Sequence, residues 1–188
     1  MELTKGQRVV YPGQGIHRVE GIDEMEIGGL RQAFVTLKRE RDGATVRIPE
    51  HRVGQVGLRP VASAEQGLSA LECLRTPDPD PEMDWKRRQR AHQDLIADGS
   101  LLGIAQVLRT LHSISYVRAL PDKERAIYDH MRHLLVEELS VIFGLPVGAA
   151  EDQIDLALEP PRHERKKPAA TKKAATKKAA TKKAATKK

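Results

Sequence analysis

A β-hairpin is predicted over residues 32–49, which read QAFVTLKRERDGATVRIP. Side chains alternate along its first half, which puts Phe34 and Thr36 on one face of a strand. The Asp42-Gly43 dipeptide that follows favours a tight hairpin turn. The second half ends at Pro49, where the missing amide hydrogen predicts a strand end or an edge position.

Three further runs around this hairpin have the composition of short strands. Residues 8–11 precede a Pro-Gly-Gln-Gly turn, residues 16–22 alternate until a Gly-Gly pair, and residues 56–61 close the set. Five short strands joined by tight turns within residues 5–61 predict a small, strongly bent sheet or barrel.

After Val61 the apolar period changes from two to about 3.6 residues, which predicts a helical half. Leu68, Leu71 and Leu74 predict a short helix, which ends at the proline-rich residues 76–81. A second helix is predicted from residue 85 to about 97, with Asp84 as its N-cap.

Three more helices are predicted, starting after Ser100, at Pro121-Asp122 and near residue 151. The longest ends at Gly144 and Pro146. The side chains predicted to face the core are Leu101, Ile104, Ala105, Leu108, Leu111, Ile127, Met131, Leu134, Leu135, Leu139 and Ile142. The fold class is therefore α+β, with a small bent sheet or barrel, a compact all-α bundle and a C-terminal tail.

The net charge of +6 belongs to the tail. Residues 161–188 carry twelve basic side chains and one acid, whereas the residues before them carry twenty basic and twenty-five acidic side chains. The tail contains four copies of Ala-Ala-Thr-Lys-Lys, a period that gives no apolar face, so disorder is predicted. It either acts as a solvated tail that improves solubility or binds a polyanion such as DNA. The candidate DNA-binding lysines are Lys172, Lys173, Lys177, Lys178, Lys182 and Lys183.

Several classes of protein are disfavoured by the composition. A single cysteine, Cys73, excludes an internal disulfide framework and a thiolate zinc site. His130 and His133 are three apart on a helix, but further metal ligands are not evident. The longest stretch without an ionisable residue, 139–150, is about half of a membrane span, and no signal peptide core is present. We expect a cytoplasmic protein with no cofactor, no membrane contact and no enzymatic activity.

The single tryptophan lies within residues 84–90, which read Asp-Trp-Lys-Arg-Arg-Gln-Arg. Helical spacing puts Trp85 on the same side as Arg88, whereas Lys86 and Arg90 share another side. One interpretation is a tryptophan buried between helices with an ordinary charged flank. The other is an apolar wedge held at a minor-groove edge by cations that contact the flanking phosphates.

Two groups of motifs, in this order along the chain, resemble the CarD/CdnL family of bacterial transcription regulators. The resemblance covers residues 1 to about 158. The first group comprises residues 6–15, 34–38, 45–49 and 56–59, and the second comprises the Trp-Lys-Arg-Arg segment at 85–88 and the helix over 100–109.

The resemblance implies a Tudor- or SH3-like domain over residues 1–61 that docks on the β subunit of bacterial RNA polymerase. Docking by pairing of a sheet edge is physically reasonable, because an exposed edge offers unpaired backbone donors and acceptors. The implied polymerase-facing residues are Val46, Arg47 and Ile48, with Ile27 as a weaker candidate on the neighbouring strand. Met25 departs from an arginine found in some relatives, so docking could be weaker or differently partnered.

The resemblance also implies a helical DNA-binding domain over residues 62–158, followed by the tail over 159–188. This domain would act on promoter double-stranded DNA at the upstream edge of the minus-ten element, and the protein would work as a monomer associated with the nucleoid. Trp85 would be the wedge, and the phosphate contacts would be Lys86, Arg87, Arg88 and Arg90. The lysine repeats are not a standard part of short family members, although one larger relative has a basic C-terminal region.

Two other classes of function remain as alternatives. A nucleoid-architectural, histone-like protein would be dominated by the lysine tail, which also resembles the tails of linker histones. A hydrolase would use histidines and carboxylates of the helical half, but the sequence offers no catalytic constellation for it.

Overall fold

The computed structural model of the protein describes residues 3–159, so the six candidate tail lysines between Lys172 and Lys183 lie outside the described residues. A five-stranded antiparallel sheet is followed by five helices, which confirms the predicted fold class. The strands are β1 (Arg8–Tyr11), β2 (Gly15–Ile27), β3 (Leu30–Arg39), β4 (Thr45–Pro49) and β5 (Arg59–Pro60), with a 3-10 turn at Glu50–Arg52. The helices are α1 (Ala64–Arg75), α2 (Trp85–Asp98), α3 (Leu101–Val117), α4 (Asp122–Phe143) and α5 (Val147–Leu158).

The sheet has the order β4-β3-β2-β1-β5, which leaves β4 as one edge in the described part of the chain. The β2–β3 hairpin is longer than predicted, because pairing continues to Ile27 opposite Leu30. Its turn uses Gly28 and Gly29, whose φ angles of 63° and 80° suit glycine and match a tight hairpin. The run over residues 56–61 gives only the two-residue strand β5.

Both faces of β3 are buried over its central residues, 34–37. Val35 and Leu37 pack in a core that also contains Val9, Val19 and Ile48. On the other face, Phe34 is buried and the Thr36 hydroxyl donates a hydrogen bond of 3.1 Å to Asp23. The predicted alternation is therefore present, and it does not separate a buried face from an exposed one.

Helix α1 is rotated relative to the prediction, which was wrong for Leu68. That side chain is 60% exposed, and Gly67 takes the inward position with Ala70, Leu71 and Leu74. A Cβ at Gly67 would lie 2.9 Å from Phe143 Cζ, so the glycine allows the two helices to approach closely. A face at 67, 70, 71 and 74 has the same helical period as the predicted one.

The later helices follow the predicted pattern more closely. Ile127 and Ile142 are half-buried, and the other side chains predicted to face the core on α3 and α4 are buried. Ser100 caps α3 by accepting a hydrogen bond of 3.1 Å from Gly103 N, and α4 ends at Gly144, as predicted. Helix α5 begins at Val147, earlier than predicted, directly after Pro146.

The sheet packs against the bundle at one end. A Cβ at Gly99 would lie 2.8 Å from Pro12 Cγ, and His130 Nε2 lies 3.0 Å from the carbonyl oxygen of Gly13. Within residues 3–159 no single helix has the length and apolarity of a membrane span; only α4 and α5 taken together, bent by 114° at their break, meet those two criteria.

Candidate nucleic-acid and polymerase interfaces

Trp85 occupies the first position of a capped helix. The Asp84 carboxylate accepts hydrogen bonds from the backbone amides of Lys86 (2.8 Å) and Arg87 (3.2 Å), which confirms the predicted N-cap. An aspartate at this position satisfies two amides that have no partner within the helix, and its charge complements the helix dipole. The cap therefore holds the tryptophan backbone in a defined orientation.

The indole of Trp85 projects from the surface, with 56% of the residue exposed. The Lys86 ammonium lies 6.0 Å from the centroid of the indole ring, at the outer limit of a cation–π contact. The interpretation of a tryptophan buried between helices is therefore wrong. An apolar ring of this size is instead available to a second molecule.

Three of the four predicted phosphate contacts are accessible. Lys86, Arg87 and Arg90 are exposed, and they lie within two turns of the exposed indole. Cations in such positions can meet phosphates on either side of an inserted ring.

Arg88 is a correction to the predicted set, because its side chain is 1% exposed and is held inside the protein. Its Nε donates to the Glu124 carboxylate at 2.9 Å, and its terminal nitrogens contact Glu124 and the carbonyl oxygen of Glu82. Arg118 also pairs with Glu124, at 3.3 Å. A guanidinium occupied in this way cannot reach a phosphate, so Arg88 fastens the start of α2 to the start of α4.

His92 lies one turn after Arg88 on the same inward face and is buried. Burial, with the positive charge of Arg88 as a second cause, lowers the pKa of His92 to about 4, while Glu124 acts in the opposite direction. The imidazole is therefore neutral at physiological pH. The inward face of the tryptophan-bearing helix thus begins with two polar side chains and continues with the half-buried Leu95 and Ile96.

Sequence reasoning missed Glu124 as part of this region. It lies 36 residues from Arg88 along the chain, and only the tertiary packing of α2 against the start of α4 brings the two together. An arginine at an inward helical position is the one available signal, because inward charges are almost always paired.

The predicted polymerase-facing residues lie on β4, an edge strand of the sheet in the described part of the chain. Arg47 is exposed and Val46 is half-buried against the sheet core, whereas the Ile48 side chain is buried and can contribute only its backbone to an edge contact. Ile27 lies on β2, which β3 separates from β4, so it is not on the strand adjacent to that edge. Met25 is half-buried and pairs with Gln32.

Two histidines and the cysteine were the other candidates for a metal site or a nucleophile, and their surroundings are those of residues with a structural role. His130 contacts Gly13, and His133 Nε2 lies 3.0 Å from the Glu137 carboxylate. Within residues 3–159 no group of three or more potential metal ligands occurs. Burial raises the pKa of the Cys73 thiol, which makes it a poor nucleophile.

Comparison with known proteins gives matches to both halves of the chain. Residues 3–62 match the CarD-like/TRCF RID domain, and residues 69–155 match the CarD C-terminal domain. One similar protein is the putative transcription factor YdeB of Bacillus subtilis (strain 168), which is 27% identical over 140 residues, or 74% of this chain and 92% of the relative.

Two solved structures are also similar to the N-terminal part. The solution NMR structure of the 72-residue N-terminal domain of Myxococcus xanthus CarD is 49% identical, covers 31% of this chain and 79% of that chain, and has a TM-score of 0.28. CdnLNt from the same bacterium is 41% identical, covers 34% of this chain and 89% of that chain, and has a TM-score of 0.30.

Proposed function

Because this chain belongs to the CarD/CdnL family of bacterial RNA polymerase-binding transcription regulators, we propose that it stabilises the open promoter complex by bridging polymerase and DNA. In this proposal β4 docks on the polymerase β subunit, and Trp85 acts as a wedge at the upstream edge of the minus-ten element. The observation that best supports the proposal is the exposure of Trp85: the residue is 56% exposed at the start of a capped helix, with cations beside it.

The DNA contact follows from the chemistry of that surface. An exposed indole gains free energy when a base step or sugar covers it, and a kinked or partly unstacked step provides the space. Lys86, Arg87 and Arg90 contact the flanking phosphates, and these contacts position the protein with little base discrimination. The site therefore recognises deformed promoter DNA rather than one sequence.

The polymerase contact uses the edge of β4 that pairs with no other strand among residues 3–159. A strand of the partner can add to this edge through main-chain hydrogen bonds. The Arg47 side chain projects into solvent from the same strand, so it is placed to pair with an acidic group of the polymerase.

The C-terminal tail adds non-specific DNA affinity in this proposal. Its lysines include Lys172, Lys173, Lys177, Lys178, Lys182 and Lys183. Neutralising six to eight phosphates would give a salt slope of about −5 to −7. The body before the tail has an excess of acidic residues, so the tail supplies the general attraction to DNA, and Trp85 with its neighbouring cations supplies the local contact.

Capture of RNA polymerase from a bacterial lysate tests the docking surface. Arg47→Glu should abolish capture and leave binding to free DNA intact, because it reverses a charge at the β4 edge. Arg75→Glu is the matched control, since it makes the same charge change on an exposed position of α1. Equal capture by the parent and both variants would contradict docking through Arg47.

A nucleoid-architectural protein is the second candidate, favoured by the concentration of twelve basic residues in positions 161–188. In that case an isolated peptide of residues 159–188 should retain most of the function. If the peptide binds DNA but does not prolong the life of promoter complexes, the bridging proposal is supported and the architectural one is not.

A further inference from the structure

We propose that the ion pair between Arg59 and Glu138, here named the sheet–bundle ion pair, is a positioning device that fixes the β4 edge relative to Trp85. The inference rests on the proposed function and adds a role for two residues that touch neither partner in that proposal. The arginine lies on β5, and the glutamate lies on α4.

All three guanidinium nitrogens of the arginine donate hydrogen bonds. Its two terminal nitrogens donate to the two carboxylate oxygens of Glu138, at 2.6 and 2.8 Å, in a bidentate arrangement. Its Nε donates to the carbonyl oxygen of Gly99 at 2.7 Å, and one terminal nitrogen also reaches the carbonyl oxygen of Pro60 at 3.1 Å. A planar guanidinium with this many partners has one allowed orientation.

The glutamate is buried in the C-terminal third of α4, with 2% of its surface exposed. Its Oε1 also accepts a hydrogen bond of 3.0 Å from the backbone amide of Ala62, in the segment that leads from β5 into α1. A buried ion pair is a weak source of stability compared with apolar packing of the same volume. Its geometric specificity is therefore the property that best accounts for its presence.

Gly99 gives the pair its connection to the DNA-binding surface. This residue ends α2, the helix that begins with Trp85, and it packs against Pro12 in the turn between β1 and β2. The Nε contact of Arg59 thus ties the sheet to the far end of the tryptophan-bearing helix. The near end is held separately, by the pairing of Arg88 with Glu124.

A rigid connection matters because the protein is proposed to hold two partners at once. When one partner is bound, the second binds as if at a high effective concentration, provided that the geometry of the two sites matches. Loosening the connection lowers that effective concentration without removing any contact to either partner. The sheet–bundle ion pair should therefore affect the coupling between the two binding events and leave each separate affinity unchanged.

The positioning role can be measured in the free protein by spin-label distances. Labels at Thr45→Cys on β4 and Gln89→Cys on α2, both exposed positions, are introduced with Cys73→Ser as background. Arg59→Lys keeps the positive charge and loses the bidentate pairing with Glu138. The double variant Arg59→Met with Glu138→Met removes both charges, so no buried charge is left without a partner. Both should broaden the distance distribution.

Arg132→Met is the matched control. It removes a guanidinium on α4 that pairs with Asp155 at 2.8 and 2.9 Å and with Glu151 at 3.0 Å, within the bundle. Its distance distribution should stay as narrow as that of the parent. A narrow distribution in both sheet–bundle variants would overturn the inference.

The coupling between the two binding events is measured with the whole chain. Its measure is the ratio of promoter-DNA affinity in the presence of polymerase to that in its absence, here called the gain. The sheet–bundle variants should bind each partner separately like the parent and lose about tenfold of that gain, whereas Arg132→Met should lose none. An unchanged gain in both variants would overturn the inference even if their distances broaden. If the parent binds neither partner, the proposed function fails, and the distance measurement alone decides the positioning role.

Discussion

Replacing Trp85 with alanine removes the side chain on which the proposed DNA contact depends. With 56% of the residue exposed, roughly 110 Å² of a side chain that typically buries about 200 Å² is open to a second molecule. Covering that area contributes at most about 3 kcal/mol at about 25 cal/mol per Å². Alanine substitutions of stacking aromatics cost about 1–3 kcal/mol. We therefore expect promoter complexes to dissociate roughly 5- to 150-fold faster.

The assay is the dissociation rate of open promoter complexes after addition of a competitor, with urea unfolding of each variant measured in parallel. Trp85→Ala should change the free energy of unfolding by no more than about 1 kcal/mol, because the side chain is largely exposed. Leu108→Ala, at a position with no exposed surface, should cost about 2–5 kcal/mol and serves as the comparison for a core residue. If Trp85→Ala unfolds as readily as Leu108→Ala, or if it folds normally and complex lifetime is unchanged, Trp85 does not act as a wedge.

Three other predictions concern the anchor of α2, pH and the tail. Arg88→Ala should lower the free energy of unfolding, measured in urea, by about 3 kcal/mol, because it leaves the Glu124 carboxylate without its buried partner. The control Arg87→Ala should change the free energy of unfolding by less than about 0.5 kcal/mol. Equal effects of the two substitutions would show that the pairing of Arg88 with Glu124 does not hold α2 in place. The pKa of His92 is about 4 in the folded protein and 6.5 ordinarily, so the unfolded chain binds the proton first, and stability should fall by up to about 3 kcal/mol as pH drops from 6.5 to 4. His92→Gln should make the urea midpoint fall less steeply over that range; some fall should remain, because burial also lowers the pKa of His17 and His112. A pH profile parallel to that of the parent would contradict the assignment to His92. Deleting residues 160–188 should weaken DNA binding strongly at low salt and little near about 0.5 M, removing about 5–7 from the salt slope in an anisotropy titration; an unchanged slope would exclude the electrostatic role.

Local sequence signals predict most of the elements. The Asp-Gly turn, the caps at Asp84 and Ser100 and the stop at Gly144 all lie where short-range chemistry placed them. Errors arose where tertiary contact decides the outcome. Gly67, rather than Leu68, faces inward because the close approach of Phe143 leaves no room for a side chain.

The candidate site was predicted less completely. The exposure of Trp85 agrees with the wedge interpretation, but helical spacing could not reveal that Arg88 points into the protein towards Glu124. The same limit applies to Ile48, whose side chain completes the sheet core while the neighbouring Arg47 stays exposed. Which cations remain available to phosphate depends on partners distant in sequence, and those are set only by the folded arrangement.

The most direct test of bridging is a double-mutant cycle on promoter-complex lifetime with the parent, Arg47→Glu, Trp85→Ala and the double variant. If one molecule must hold polymerase in order to deliver its indole to DNA, the double variant should be no worse than Arg47→Glu alone. If the effects of the two substitutions on complex lifetime multiply, polymerase docking and DNA contact act independently. That result would contradict bridging by one molecule.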